Sequence, residues 1–195
     1  MNRVSCIMKN SGVTLIELIV AISVMGILVV ALGFTFFGWM GSYKAESQIK
    51  EMYIDLMNAK ARAMQKNRTH FVTLTTTRYT IYEDTNPAPD GNGILATVSD
   101  TQVLQKNLNP DYPITWSDLA DTQIDFTRRG LSNDNKTVCI FTDFVNNDYP
   151  IDRTPDGVSD NHPDYDCMVI SATRMNLGQL TTQGGACDST NCVAK

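Results

Sequence analysis

With 195 residues, 16 basic and 21 acidic side chains and a formal net charge of −5, the chain is acidic. Arg3 and Lys9 are the only charged residues among the first twelve, so the balance beyond them is −7. That balance disfavours sequence-independent nucleic-acid binding, which rests on basic clusters meeting phosphates. "TRRG" (127–130) is the one basic candidate, and it reads more simply as a solvated turn.

The N-terminal forty residues divide sharply. Between Gly12 and Met40 the single charged side chain is Glu17, near the start of an apolar run. The 23 residues from Leu18 to Met40 suffice for a helix to cross a hydrocarbon core of roughly 30 Å. A carboxylate at mid-span costs about 2.5–3.5 kcal/mol, less near an end, so Glu17 calls for a partner. No A-x-A-like exit follows the run, as an ordinary secretory signal requires, and small residues precede it instead as Ser11-Gly12. Arg3 and Lys9 predict an N-terminus held in the cytoplasm with the remainder exported.

"SGVTLIELIVAISVMGILVVAL" (11–32) resembles the class III signal of type IV pilins and type II secretion pseudopilins. The family pattern is a short basic leader ending in Gly, then Phe-Thr-Leu-Ile-Glu-Leu and a long apolar helix. Val13 stands here where Phe is usual, and Phe34 lies near the place of a helix-bending Pro in many members. The resemblance implies cleavage by a prepilin peptidase after Gly12, N-methylation of Val13, and pairing of Glu17 with the terminal amine of a neighbouring subunit. Such pairing would neutralise two charges that are expensive alone in lipid and would fix axial register. The alternative for Glu17 is an anchor side chain reaching toward the headgroups.

Beyond the apolar run, Ile49, Met52, Leu56, Ala59 and Ala63 recur at helical spacing, with Glu46, Lys50, Asp55, Lys60, Arg62 and Lys66 on the remaining surface. That predicts one helix from about Val13 to a stop at Asn67, roughly 80 Å long. Period two then takes over. "THFVTLT" (69–75) and "RYTIYED" (78–84) predict a hairpin; "QVLQKNL", "TQIDF", "TVCIFTD", "CMVISA" and "LGQL" predict further strands. The expected fold is α+β: a long N-terminal helix packed on a mostly antiparallel sheet. Its segments are a removed leader (1–12), a transmembrane or filament-core helix (13–40), an amphipathic helix (41–67) and a β-rich globular domain (68–195). The hairpin after the helix, "IDFTRRGL" and "ISATRMNLGQL" are similar to GspH/FimT-type members. In "TRMNLGQ" Arg174 stands alone, where DNA-uptake relatives carry a G-R-x-R-like motif, so the resemblance does not extend to nucleic acid.

Two polar loops interrupt the strands. Residues 84–93, "DTNPAPDGNG", are turn chemistry throughout. In the aspartate-rich stretch 144–166, Asp152, Thr154, Asp156, Gly157 and Asp160 occupy positions 1, 3, 5, 6 and 9 of an EF-hand-like calcium loop. Pro155 intrudes, and Pro163 replaces the bidentate Glu at position 12. An ordinary solvated acidic loop is the simpler reading; calcium apart, no cofactor is expected.

Outside the leader, Cys139, Cys167, Cys187 and Cys192 form an even set suited to an oxidising compartment. No CxxC pair supports zinc. Four cysteines allow three connectivities; the expected one joins Cys139 to Cys167 across the acidic loop and Cys187 to Cys192 as a terminal staple. His70 and His162 lie in no nucleophile or metal motif, and no P-loop, GxGxxG or GxSxG occurs. No enzyme is expected. The expected role is a minor pilin or pseudopilin, working with other subunits, the prepilin peptidase and an inner-membrane assembly platform. The alternative is a surface receptor-type pilin binding DNA, an exported substrate or a host ligand; an isolated membrane-anchored domain would show no processing at Gly12.

Overall fold

The computed structural model describes residues 13–89, 91–141 and 163–195, with backbone alone for 30–39. The chain divides into two compact units, Met1–Phe37 and Gly38–Lys195. The helix α1 spans Leu15–Lys66. It ends where the spacing predicts: Asn67 adopts φ 53°, and the Arg68 amide donates to the Ala63 carbonyl at 3.2 Å. That left-handed residue with its back-reaching bond is a Schellman stop.

In the second unit the predicted apolar stripe is buried: Ile49, Met52, Leu56, Ala59 and Ala63 are each at most 1% exposed, and Ala45 extends it by a turn. The strands are β1 (His70–Thr75), β2 (Arg78–Glu83), β3 (Thr101–Asn107), β4 (Ile114–Trp116), β5 (Gln123–Phe126), β6 (Lys136–Ile140), β7 (Cys167–Ile170), β8 (Met175–Leu180) and β9 (Cys192–Ala194). They form two sheets rather than one, ordered β3-β2-β1-β5 and β4-β6-β7-β8-β9, and every pairing is antiparallel. Alternate residues of both sheets (Val72, Leu74, Tyr79, Ile81, Ile124 and Phe126; Val138, Ile140, Met168 and Ile170) join the helix stripe in one core. Both sheets therefore share the helix as their common inner wall.

The opposite face of the second sheet carries the cysteines, and it corrects the expected connectivity. Cys139 and Cys167 face each other across β6 and β7, yet each bonds to the C-terminal segment: Cys139 to Cys187 and Cys167 to Cys192. The chain turns back after β8 through a knot built on Asn191, whose Oδ1 accepts from Thr181 Oγ1 and the Thr182 amide while its Nδ2 donates to the Thr182 and Ala186 carbonyls. This return lays Cys187 and Cys192 over the strand cysteines. Gly178, between β7 and β9, makes room: a Cβ there would lie 2.9 Å from Cys192 Sγ and 2.6 Å from the Val193 carbonyl oxygen.

Polar groups buried at the sheet ends fix the loops. Asp84, fully buried, accepts from the amides of Asn92 and Gly93. Gly91, at φ +76°, passes so close that a Cβ would fall 2.0 Å from Asp84 Oδ1. Asp100 accepts from the amides of Thr85, Asn86 and Ala96, so two aspartates organise the loop read as turn chemistry. Lys136, its side chain 2% exposed, pairs with Asp121 and donates to the carbonyls of Asp121 and Gln123. Tyr79 donates to Asp55 at 2.6 Å, tying β2 to the helix; burial and that carboxylate push the phenol pKa far above its usual range.

His70 is fully buried, with Nδ1 3.3 Å from the Arg68 carbonyl and Nε2 without a hydrogen-bond partner among the described residues. Burial lowers its pKa from 6.5, against the opposing pull of the Arg68 carbonyl and Glu83. Burial also opposes the Glu83 charge, but hydrogen bonds from Lys66 and Arg68 outweigh it and hold that carboxyl below its usual 4.5. Both shifts remove stability as pH falls, in separate windows. The unfolded chain protonates at His70 from about pH 6.5 downward while the folded chain resists, and the Glu83 contribution is lost below about pH 4.5. The thermal midpoint should therefore fall between pH 7 and 5, and His70→Leu should flatten that slope while leaving the steeper fall at lower pH. An unchanged slope in the variant would remove His70 as its source.

Candidate functional site

The N-terminal end of α1 is built by local chemistry. The Glu17 amide donates to Thr14 Oγ1 at 3.3 Å, and the Leu18 amide donates to the Thr14 carbonyl at 3.2 Å. Thr14 is thus the N-cap, and "TLIE" is also a T-x-x-E capping sequence. The T-x-x-E spacing is a helix-start signal that the sequence itself displays. Glu17 lies in the first helical turn and is exposed, where the helix dipole favours a negative charge.

Around Glu17 the surface is apolar on all sides. Every large apolar side chain described from Val13 to Val29 is between 45% and 77% exposed. Soluble helices bury such a surface; one apolar all round belongs in lipid or among other helices. Among the described residues no helix is long and apolar enough to cross a membrane. Residues 30–39 of the expected span lie outside those whose side chains are described.

Residues 7–35 match the family model of the prokaryotic N-terminal methylation motif. The match takes in Gly12, Val13, Glu17 and most of the apolar run. The fold is similar to the minor pseudopilin EpsH from the type 2 secretion system of Vibrio cholerae, at 15% identity and a TM-score of 0.45, over 70% of this chain and 97% of that one. No curated protein matches the chain.

Of the expected site residues, Val13 is 71% exposed just ahead of the methylation-motif helix, and Gly12 lies outside the described residues. The calcium candidates Asp152, Thr154, Asp156 and Asp160, and likewise His162, also lie outside them. Among the described residues no group of three or more His, Cys, Asp or Glu side chains is placed to hold a metal. The four cysteines are all in disulfides.

One open groove of about 500 Å³ runs along the second unit, between helix residues Lys50, Tyr53 and Ile54 and strand residues Met175 and Leu177. Its lysines are already engaged: Lys50 pairs with Glu46 and lies 4.7 Å over the Tyr165 ring, and Lys195 pairs with Asp164. With each cation matched by an anion, the groove offers no charge to select a ligand.

Proposed function

We propose that this chain is a minor pilin or pseudopilin, a structural subunit that helps initiate or cap assembly of a type IV pilus or a type II secretion pseudopilus. The carrying observation is the methylation motif at 7–35, set on a helix start whose large apolar side chains from Val13 to Val29 are all exposed. In this reading residues 1–12 are the leader, a prepilin peptidase cuts after Gly12 and Val13 becomes the methylated N-terminus. The helix waits in the inner membrane with its N-terminus cytoplasmic, anchored beside an assembly platform. On assembly its apolar surface exchanges lipid for the helices of neighbouring subunits, and the globular unit stands in the periplasm or outside the cell. The two disulfides support export, since such bonds persist in oxidising compartments.

Glu17 sets register by meeting the terminal amine of a neighbour, with Thr14 holding the first turn in shape. Chemistry resides in the partners: the peptidase, the methyl transfer and the assembly machinery. The calcium loop at Asp152, Thr154, Asp156 and Asp160 remains a secondary proposal, tested by calorimetric titration at millimolar calcium. A deletion strain separates the two filament types. Lost surface pili with normal enzyme export assigns the chain to a pilus, and retained pili with failed export assigns it to a secretion system. If neither changes, the receptor-type alternative replaces the assembly role.

A further inference from the structure

Basic side chains from three stretches far apart in sequence converge at one end of the acidic globular unit. Lys60 Nζ donates to the Thr173 carbonyl at 2.7 Å, which places Lys60 beside Arg174. The Ser132 amide donates to the Ala172 carbonyl at 2.8 Å, so the turn of residues 127–131, carrying Arg128 and Arg129, lies against the 171–174 turn. Gly130 in that turn touches the helix, for a Cβ there would sit 2.6 Å from Met64 Sδ. Arg128, Arg129 and Arg174 are exposed. No Asp or Glu occurs in residues 57–66, 127–131 or 171–174, although the whole chain is net −5.

Exposed apolar side chains accompany these charges. Met57, Met64 and Leu131 are 40%, 49% and 40% exposed. On the helix, positions 57, 60 and 64 share one side, so the methionines flank Lys60. An apolar centre inside a charged rim is the anatomy of a protein interface, and methionine suits it because its flexible side chain adapts to a partner. A phosphate backbone would have no use for these apolar side chains. Arginine forks at the rim match carboxylates in paired hydrogen bonds.

We propose that this surface, Lys60, Arg129 and Arg174 around Met57, Met64 and Leu131, docks an acidic protein segment that carries an apolar anchor side chain. It stands on its own residues and needs neither the N-terminal helix nor the assembly reading. The geometry favours a short segment whose anchor enters between Met64 and Leu131 while its carboxylates meet the arginines. Because long-range attraction between such charges is screened within about 8 Å at physiological salt, binding should weaken as salt rises.

The test uses the full chain in detergent micelles and four fluorescent probes: the peptide Glu-Glu-Leu-Asp-Glu-Leu-Glu, the same peptide with Ser for Leu, a heptamer with Lys for each acid, and a twenty-base-pair DNA duplex. The leucine-containing acidic peptide should bind best. Arg174→Glu or Arg129→Glu should weaken it about tenfold, and Leu131→Ser should weaken it while leaving the serine peptide's binding unchanged. Thermal midpoints of the two arginine variants should match the parent, since both side chains are exposed. Equal binding of the two acidic peptides would overturn the apolar anchor, and tighter binding of DNA would make the surface a phosphate site instead. Absence of binding by any probe would overturn the proposal, and self-association abolished by Arg174→Glu would replace the foreign segment with a second copy of the chain.

Discussion

Glu17→Ala is expected to leave the chain inserted in the membrane but to reduce its recovery in sheared filaments by about a hundredfold. Removing one partner of a buried ion pair costs about 3–5 kcal/mol, and every 1.4 kcal/mol is a tenfold change in an equilibrium. The competing role is local, because the Glu17 amide is capped by Thr14. An N-cap is worth about 1 kcal/mol, so Thr14→Ala should lower incorporation by about fivefold. Glu17→Gln keeps the backbone cap and removes only the charge. If Glu17→Gln assembles normally, the pairing with a neighbour's amine is wrong and the helix start alone accounts for the residue.

Replacing Cys139 and Cys187 together by alanine should cost about 4 kcal/mol of stability, and replacing Cys167 with Cys192 should cost about 3.5 kcal/mol. These figures follow from the chain-entropy estimate for cross-links, with sequence separations of 48 and 25. A domain of this size has about 5–15 kcal/mol in all, so either loss is a large fraction. Urea midpoints of the solubilised chain check the magnitudes. Non-reducing peptide mapping checks the pairs: Cys139 should appear with Cys187. Recovery of a Cys187–Cys192 peptide would restore the terminal staple and contradict the fold of the C-terminal segment.

The helix was legible because its signal is local. Ile49, Met52, Leu56, Ala59 and Ala63 repeat at helical spacing, and all five are buried. The longer strands were legible for the same reason, through alternation in segments such as "HFVTLT". Three-residue strands are too short to show a period, so Ile114–Trp116 and Cys192–Ala194 did not stand out. The disulfide pairing misled because Cys139 and Cys167 do lie opposite one another, while the return of residues 181–192 depends on the Asn191 knot, which has no sequence period. Buried Lys136 heads a strand whose alternation gives no warning of a charge inside; its partners come from the preceding loop and strand.

The basic surface shows the same limit at longer range. Arg128-Arg129 reads alone as a turn and Arg174 reads alone as an isolated charge. Only the contacts of Lys60 with residue 173 and of residue 132 with residue 172 gather them. The methylation motif is the opposite case. Its glycine, its glutamate and its apolar run are contiguous, so the part of the site that a processing enzyme would read is the part a sequence displays in full.

The most direct test of the assembly account is the intact mass of the chain purified from its own cells, with and without the prepilin peptidase. The account predicts a chain beginning at Val13 and carrying one added methyl group when the peptidase is present, and the unprocessed chain with residues 1–12 when it is absent. A chain that still begins at Met1 in peptidase-positive cells would contradict it and would leave an anchored domain with no route into a filament.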